Sequence, residues 1–170
     1  VTDNNGNTAT CTATVTVEDT TAPNAYCNSI TVQLDATGQA TISSTDLDSE
    51  SSDVCGISSI VASDTTFDCS NVGANRVTLT VTDIHGNTST CTAVVTVEDH
   101  VAPTAVCQNA TVQLDANGVA SVTAAQIDNG SSDACGIASL SVSPSTFNCA
   151  NVGPNTVTLT VTDNNGNTST

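Results

Sequence analysis

Hydrophobic and polar residues alternate along several stretches of the chain, and this period of two dominates its organisation. Val77–Thr82 reads VTLTVT and Ala93–Val97 reads AVVTV, each the pattern of a strand with one buried face. DIHGN, Asp83–Asn87, separates them; a short Gly-containing turn between two alternating runs predicts a hairpin. Ile30–Leu34 and Gln39–Ser43 flank the turn DATG at Asp35–Gly38 and predict two more strands. Ile57–Ala62 predicts a further strand, and the mostly polar stretch Ser44–Asp53 a loop. No segment has a helical period with caps. The pattern reads as an all-β sandwich of six or seven strands.

The pattern repeats. Val1–Thr80 aligns with Val81–Thr160 without a gap, with 47 of 80 positions identical, and a third copy starts at Val161 as VTDNNGNTST. A period of 80 residues suits one small β-sandwich domain better than a leucine-rich or ankyrin unit. VEDTTAP (Val17–Pro23) and VEDHVAP (Val97–Pro103) read as junctions, each following a clean strand and holding a Pro suited to the start of an edge strand. The frame is therefore a closing hairpin over residues 1–19, a complete domain over 20–99, and a following domain over 100–170 that lacks its last strand. The expected architecture is a head-to-tail array of tandem immunoglobulin-like β-sandwich domains, of which this chain is about two periods.

Composition narrows the function. Asp and Glu number 17 against one Lys or Arg, Arg76, for a net charge of −16. That balance opposes nucleic-acid binding, which draws on Lys and Arg to displace counterions, and binding to an anionic membrane. No apolar run approaches the ~18 residues of a membrane span. Without Lys there is no Schiff-base chemistry, P-loop or Lys–Asn crosslink. No signal-peptide pattern opens the segment, so an export signal is expected outside it. Aromatics are only 2%, so the cores rest on Val, Ile, Leu and Ala and call for a staple.

Eight Cys supply candidates and point to an oxidising compartment. In a head-to-tail string the first and last strands of a domain run parallel. Cys27 and Cys91 then fall near mid-height, which favours Cys27–Cys91. Cys55 and Cys69 fit a local hairpin centred near Ala62, so Cys55–Cys69 follows, and Cys135–Cys149 by repetition. A bridge across the junction, Cys11–Cys27 or Cys91–Cys107, is disfavoured. Its 15 intervening residues are largely strand, reaching about 50 Å, whereas bonded Cys need Cα atoms within roughly 7 Å. Cys11 and Cys107 are left to pair outside the segment.

Acidic positions kept between copies form the other candidate site. Glu18, Asp19, Asp48, Asp53, Asp83 and the accompanying Asn87 are expected to converge on one end of the complete domain. Glu98, Asp99, Asp128, Asp133, Asp163 and Asn167 repeat the set. Clustered carboxylates with no Lys nearby suit Ca²⁺, which takes 6–8 oxygens in flexible geometry, and an ion there would stiffen the junction. The competing reading is turn chemistry, in which Asp and Asn of D-x-x-G-N bond their own backbone; that reading is preferred for Asp35.

APNAYC, SSDVCGI, FDCSNVG and above all VTLTVTDIHGNTSTC…VTVED resemble hyalin (HYR) repeats and related bacterial immunoglobulin-like repeats, over the whole period. The resemblance implies a sandwich with its first and last Cys bridged, and stalks of giant surface adhesins in Bacteroidota. The near absence of aromatics and the extra pair Cys55 and Cys69 depart from it. No enzyme is expected, since His85 and His100 are replaced by Asn or Thr in the other copies. The expected function is an extracellular, cell-surface stalk contacting neighbouring repeats, with no nucleic acid and no direct membrane insertion. The alternatives are an adhesive module acting through the 44–53 loop, and a filament subunit assembled by strand donation.

Overall fold

The computed structural model describes all 170 residues and is mostly β. Its best-formed unit is a four-stranded sheet made of β1 (Ile30–Gln33), β3 (Ile57–Ala62), β5 (Gly73–Asp83) and β6 (Thr88–Glu98), in the order β1-β6-β5-β3. β5 and β6 are the hairpin around DIHGN and pair antiparallel from Gly73↔Val97 to Thr82↔Thr88. β1 runs parallel to β6, with Ile30 opposite Val95, so the first and last strands of the unit have the same direction. A two-stranded sheet of β2 (Gln39–Thr41) and β4 (Thr66–Asp68) forms separately.

Alternation decides what is buried. Val77, Leu79 and Val81 of β5 and Ala93, Val95 and Val97 of β6 are at most 1% exposed. Leu34, Ala40, Leu47, Ala62 and Phe67 pack with most of them in one core. The residues between them on both strands are largely Thr, and burial of the aliphatic face is the main source of stability.

Two expectations for Ser44–Asp53 and its surroundings are corrected. Ser44–Leu47 is a one-turn helix, α1, not loop. The Ser43 N–H donates to Asp46 Oδ2 at 2.7 Å, closing the turn, and Leu47 is fully buried. A single turn shows no 3.6-residue period, so only the cap could have disclosed it. Residues 57–68 are not a hairpin either: β3 pairs with β5 and β4 with β2, so the chain changes sheets between them.

The second copy repeats these elements as β7 (Val119–Ser121), α2 (Ala124–Ile127), β8 (Ile137–Ser143), β9 (Thr146–Asn148), β10 (Thr158–Asp163) and β11 (Thr168–Ser169). β11 supplies two residues where β6 has eleven. Thr111–Gln113, which match part of β1, are in no strand. Leu114 is 37% exposed against 4% for Leu34. The contrast shows how much of the first core β6 closes. At the other end, Val15 and Val17 are 82% and 89% exposed, although their counterparts Val95 and Val97 are buried.

Candidate functional site: the junction cysteines and carboxylates

Cys27 is bonded to Cys91, with Cα atoms 5.8 Å apart. The second bond is Cys69–Cys135, Cα atoms 5.2 Å apart. It joins the first repeat to the second and replaces the expected Cys55–Cys69 and Cys135–Cys149. The reason lies in the sheet change. Cys55 stands just before β3 and Cys69 just after β4, and with those strands in different sheets the two Cys do not meet. Cys11, Cys55, Cys107 and Cys149 are unbonded and exposed.

Cys69 opens a 3₁₀ turn, Cys69–Asn71, started by Asp68, whose Oδ1 accepts from Ser70 N at 2.8 Å. Its sulfur lies against the turn of Gly38, where a Cβ would sit 2.7 Å from Cys69 Sγ and 3.3 Å from Ala134 Cβ. Gly38 has φ +74°, so turn geometry and the approach of the second repeat both select Gly. The expectation had given this end of the domain no role beyond the Asp35 turn. The missed signal was the repeat itself: a Cys near each end of a unit can bond its neighbour as well as itself.

The acidic set is brought together only in part. Asp19, Asp53 and Asp83 each bring a carboxylate oxygen within 4.8 Å of the others. Asp83 is 1% exposed. Its Oδ1 accepts from the His85 and Asn87 backbones, each at 2.8 Å, and its Oδ2 from Asn87 Nδ2 at 2.7 Å. Burial pulls its pKa upward, but the combined hydrogen bonds from Asn87, His85 and Gly86 outweigh it and hold the carboxyl below its ordinary value. Asn87 Nδ2 also donates to the Asp19 carbonyl at 3.2 Å. It works as a clip between the turn and the junction, with its nitrogen toward both partners. Asn167 repeats this with Asp163 at 2.8 Å and the Asp99 carbonyl at 3.1 Å.

Asp48 and Asp128 lie outside the cluster and close turns, their Oδ1 atoms accepting from Ser51 N at 3.2 Å and Ser131 N at 3.0 Å. Glu18 is exposed. Glu98 accepts from Gln33 Nε2 at 2.6 Å, on the β1 side. These four lie outside the tight groupings formed by Asp19, Asp53 and Asp83 and by Asp99 and Asp133. At the second junction, Asp99 and Asp133 group with Cys135, whose sulfur is committed to Cys69. Asp53 and Asp133 each accept from the N–H two residues on, Cys55 and Cys135, at 2.7 Å.

One feature exceeds turn chemistry. Asp99 is 5% exposed, and its Oδ2 has no hydrogen-bond partner. A buried carboxylate oxygen left bare is costly. His85 Nδ1 lies 3.2 Å from Asp19 Oδ2. The Cys55 thiol is beside it too; that contact, then burial and the charges of Asp19, Asp53 and Asp83, raise the thiol pKa. Asp19, Cys55 and His85 also gather closely, an O/S/N set suited to Zn²⁺ rather than Ca²⁺.

Comparisons with family models, curated proteins and solved structures find no match to this chain. No helix is long and apolar enough to cross a membrane, and the two disulfides fit a compartment outside the cytoplasm.

Proposed function

We propose that the chain is a structural segment of an extracellular stalk, built of tandem immunoglobulin-like repeats of the hyalin-repeat kind, as in long surface adhesins of Bacteroidota. The observation that carries this reading is the Cys69–Cys135 bond, which welds one repeat to the next; a module that acted alone would gain nothing from it. Each unit in such a stalk contacts its neighbours, and its ligand-bearing tip lies elsewhere. The 44–53 loop is a weaker candidate for adhesion, because Leu47 is spent on the core.

Ca²⁺ at the junction extends the reading. Asp19, Asp53 and Asp83 would hold it at the first junction, Asp99 and Asp133 at the second. The bare Oδ2 of Asp99 supports it, and water and backbone oxygens would complete the 6–8 ligands. The ion would supply charge neutralisation and rigidity, not catalysis.

Stretching single molecules held at their two termini tests the stalk reading. The oxidised chain should extend to roughly half the contour of the reduced one, since the bonded loops cannot open. Equal contours would refute it. Calorimetric titration with Ca²⁺ tests the ion: binding heat should be lost in Asp19→Asn combined with Asp99→Asn, and absence of heat in the parent chain would remove Ca²⁺ while leaving the stalk.

A further inference from the structure

The Cys69–Cys135 bond has two carboxylates beside it. Oxygens of Asp99 and Asp133 and the sulfur of Cys135 lie within 4.8 Å of one another. Asp99 directly follows β6, which ends at Glu98. Asp133 and Cys135 belong to the segment ahead of β8. Cys69 comes from the first repeat, where it opens the 3₁₀ turn Cys69–Asn71.

Turn chemistry does not use up these carboxylates. Asp99 is 5% exposed. Its Oδ1 accepts from Val101 N at 3.0 Å, in the manner of an Asx turn. Its Oδ2 is shut off from water and accepts nothing. Burying an ionised oxygen without a donor carries a desolvation cost, and a cation is the partner that offsets it. Asp133 Oδ1 accepts from Cys135 N at 2.7 Å, which holds carboxylate and sulfur together on one short segment. The chain has no Lys, its one Arg is Arg76 on β5, and neither of its ion pairs involves Asp99 or Asp133.

The first repeat shows the same position as a thiol. Cys55 and Asp19 are the counterparts of Cys135 and Asp99, and their sulfur and oxygen also lie within 4.8 Å. The approach of carboxylate to sulfur therefore does not require the disulfide.

Donor type then selects the ion. With the two sulfurs bonded to each other, only oxygens are offered, which suits a hard cation such as Ca²⁺. As thiolates, the same sulfurs are soft ligands. Their Cα atoms, 5.2 Å apart, allow both to reach one ion. A Zn–S bond is about 2.3 Å and a Zn–carboxylate bond about 2.0–2.2 Å.

We propose that the dithiol form of this junction is a tetrahedral Zn²⁺ site, with Cys69, Asp99, Asp133 and Cys135 as its ligands. Binding replaces two S–H bonds by two Zn–S bonds, releases two protons to solvent and moves no electron. Ion and disulfide are thus alternative clasps on one pair of cysteines, and Zn²⁺ closes the junction in a chain whose thiols are not yet oxidised. The site goes beyond the stalk reading. It shares Asp99 and Asp133 with the Ca²⁺ reading, which concerns the disulfide form.

The test uses the full chain carrying Cys11→Ser, Cys55→Ser, Cys107→Ser and Cys149→Ser, which keeps the two bonded pairs. Reduced with a phosphine, it is titrated with Co²⁺ as an optical probe and then with Zn²⁺ in competition. One Co²⁺ per chain should bind, with the visible bands of a tetrahedral ion and a sulfur-to-metal band, and Zn²⁺ should displace it. The oxidised chain should show neither band. Asp99→Asn and Asp133→Asn should each weaken binding by at least about tenfold, the loss that even an outer-shell partner brings. A second chain adds Cys69→Ser and is kept without reductant, so that Cys27–Cys91 stays closed and Cys135 is the one thiol. It should bind Cd²⁺ with a sulfur-to-metal band that Asp99→Asn weakens. Absence of a sulfur-to-metal band in both chains, or bands that both Asp→Asn changes leave unaltered, would overturn the proposal. Calorimetry of the oxidised chain with Ca²⁺ reports on the hard-cation reading separately, so the two fail independently.

Discussion

Cys69 and Cys135 are bonded across 66 residues, and Cys27 and Cys91 across 64, so that the two closed loops interlock. Cys69 lies inside the first loop and Cys91 inside the second. The two bonds have different duties: Cys27–Cys91 holds one unit closed, and Cys69–Cys135 fixes its neighbour against it. Replacing Cys27 and Cys91 by Ser should cost about 4 kcal/mol, the chain-entropy value for a loop of this length, seen as a lower urea midpoint. Cys135→Ser should instead leave the first unit's midpoint nearly unchanged and increase the maximum dimension measured by solution X-ray scattering. Equal effects from both changes would contradict this division.

Gly38 and Gly118 separate backbone strain from junction contact. Both have left-handed φ, so Ala at either should cost about 1–2 kcal/mol. Only at Gly38 would the new methyl also meet Ala134 and a bonded sulfur. Gly38→Ala should lower the yield of Cys69–Cys135 on oxidative refolding, and Gly118→Ala should not; counting alkylated thiols by mass checks both.

Leu47→Ala tests the one-turn helix. Leu47 is fully buried among Val and Leu side chains, so truncation should cost about 2–5 kcal/mol, read from chemical denaturation. A loss under about 0.5 kcal/mol, the size expected of a surface position, would show a loop segment instead.

Acid should destabilise the fold despite its net charge of −16. Hydrogen bonds hold Asp35 below its ordinary pKa, first from the Thr37 hydroxyl and then from the Thr37 and Gln39 backbones. Val119 N–H leads the same effect on Asp115, and Asp163 follows Asp83, its hydrogen bonds from Asn167 outweighing burial. A carboxyl depressed on folding contributes stability above its unfolded pKa, about 4, and loses it as pH falls through the folded value. The melting temperature should stay level from pH 7 to about 5 and fall below about 4. A rise on acidification would mean that carboxylate repulsion dominates.

Much of the first sheet was legible from alternation, because β5 and β6 carry Thr on one face and Val, Leu or Ala on the other. Ile57–Ala62 was also legible as a strand, with the same bounds. What alternation does not encode is partner choice. Three-residue β4 is too short for a period, so nothing in it showed that the chain leaves β3 for a different sheet, and the pairing of Cys55 with Cys69 fell with that step. The carboxylates divided for a related reason. D-x-x-G-N at Asp83 fixes its own turn locally, so its placement was readable. Asp48 and Glu98 depended on which way a side chain left its strand or turn.

The account turns on which cysteine Cys69 holds. Non-reducing peptide mapping of the native chain, with thiols blocked and cleavage on the amino side of Asp, answers this directly, because Cys69 falls in residues 68–82, Cys55 in 53–63, and Cys135 with Cys149 in 133–162. The account predicts 68–82 joined to 133–162 through Cys69 and Cys135. Recovery of 68–82 joined to 53–63, with 133–162 closed on itself, would contradict it and return each disulfide to its own repeat.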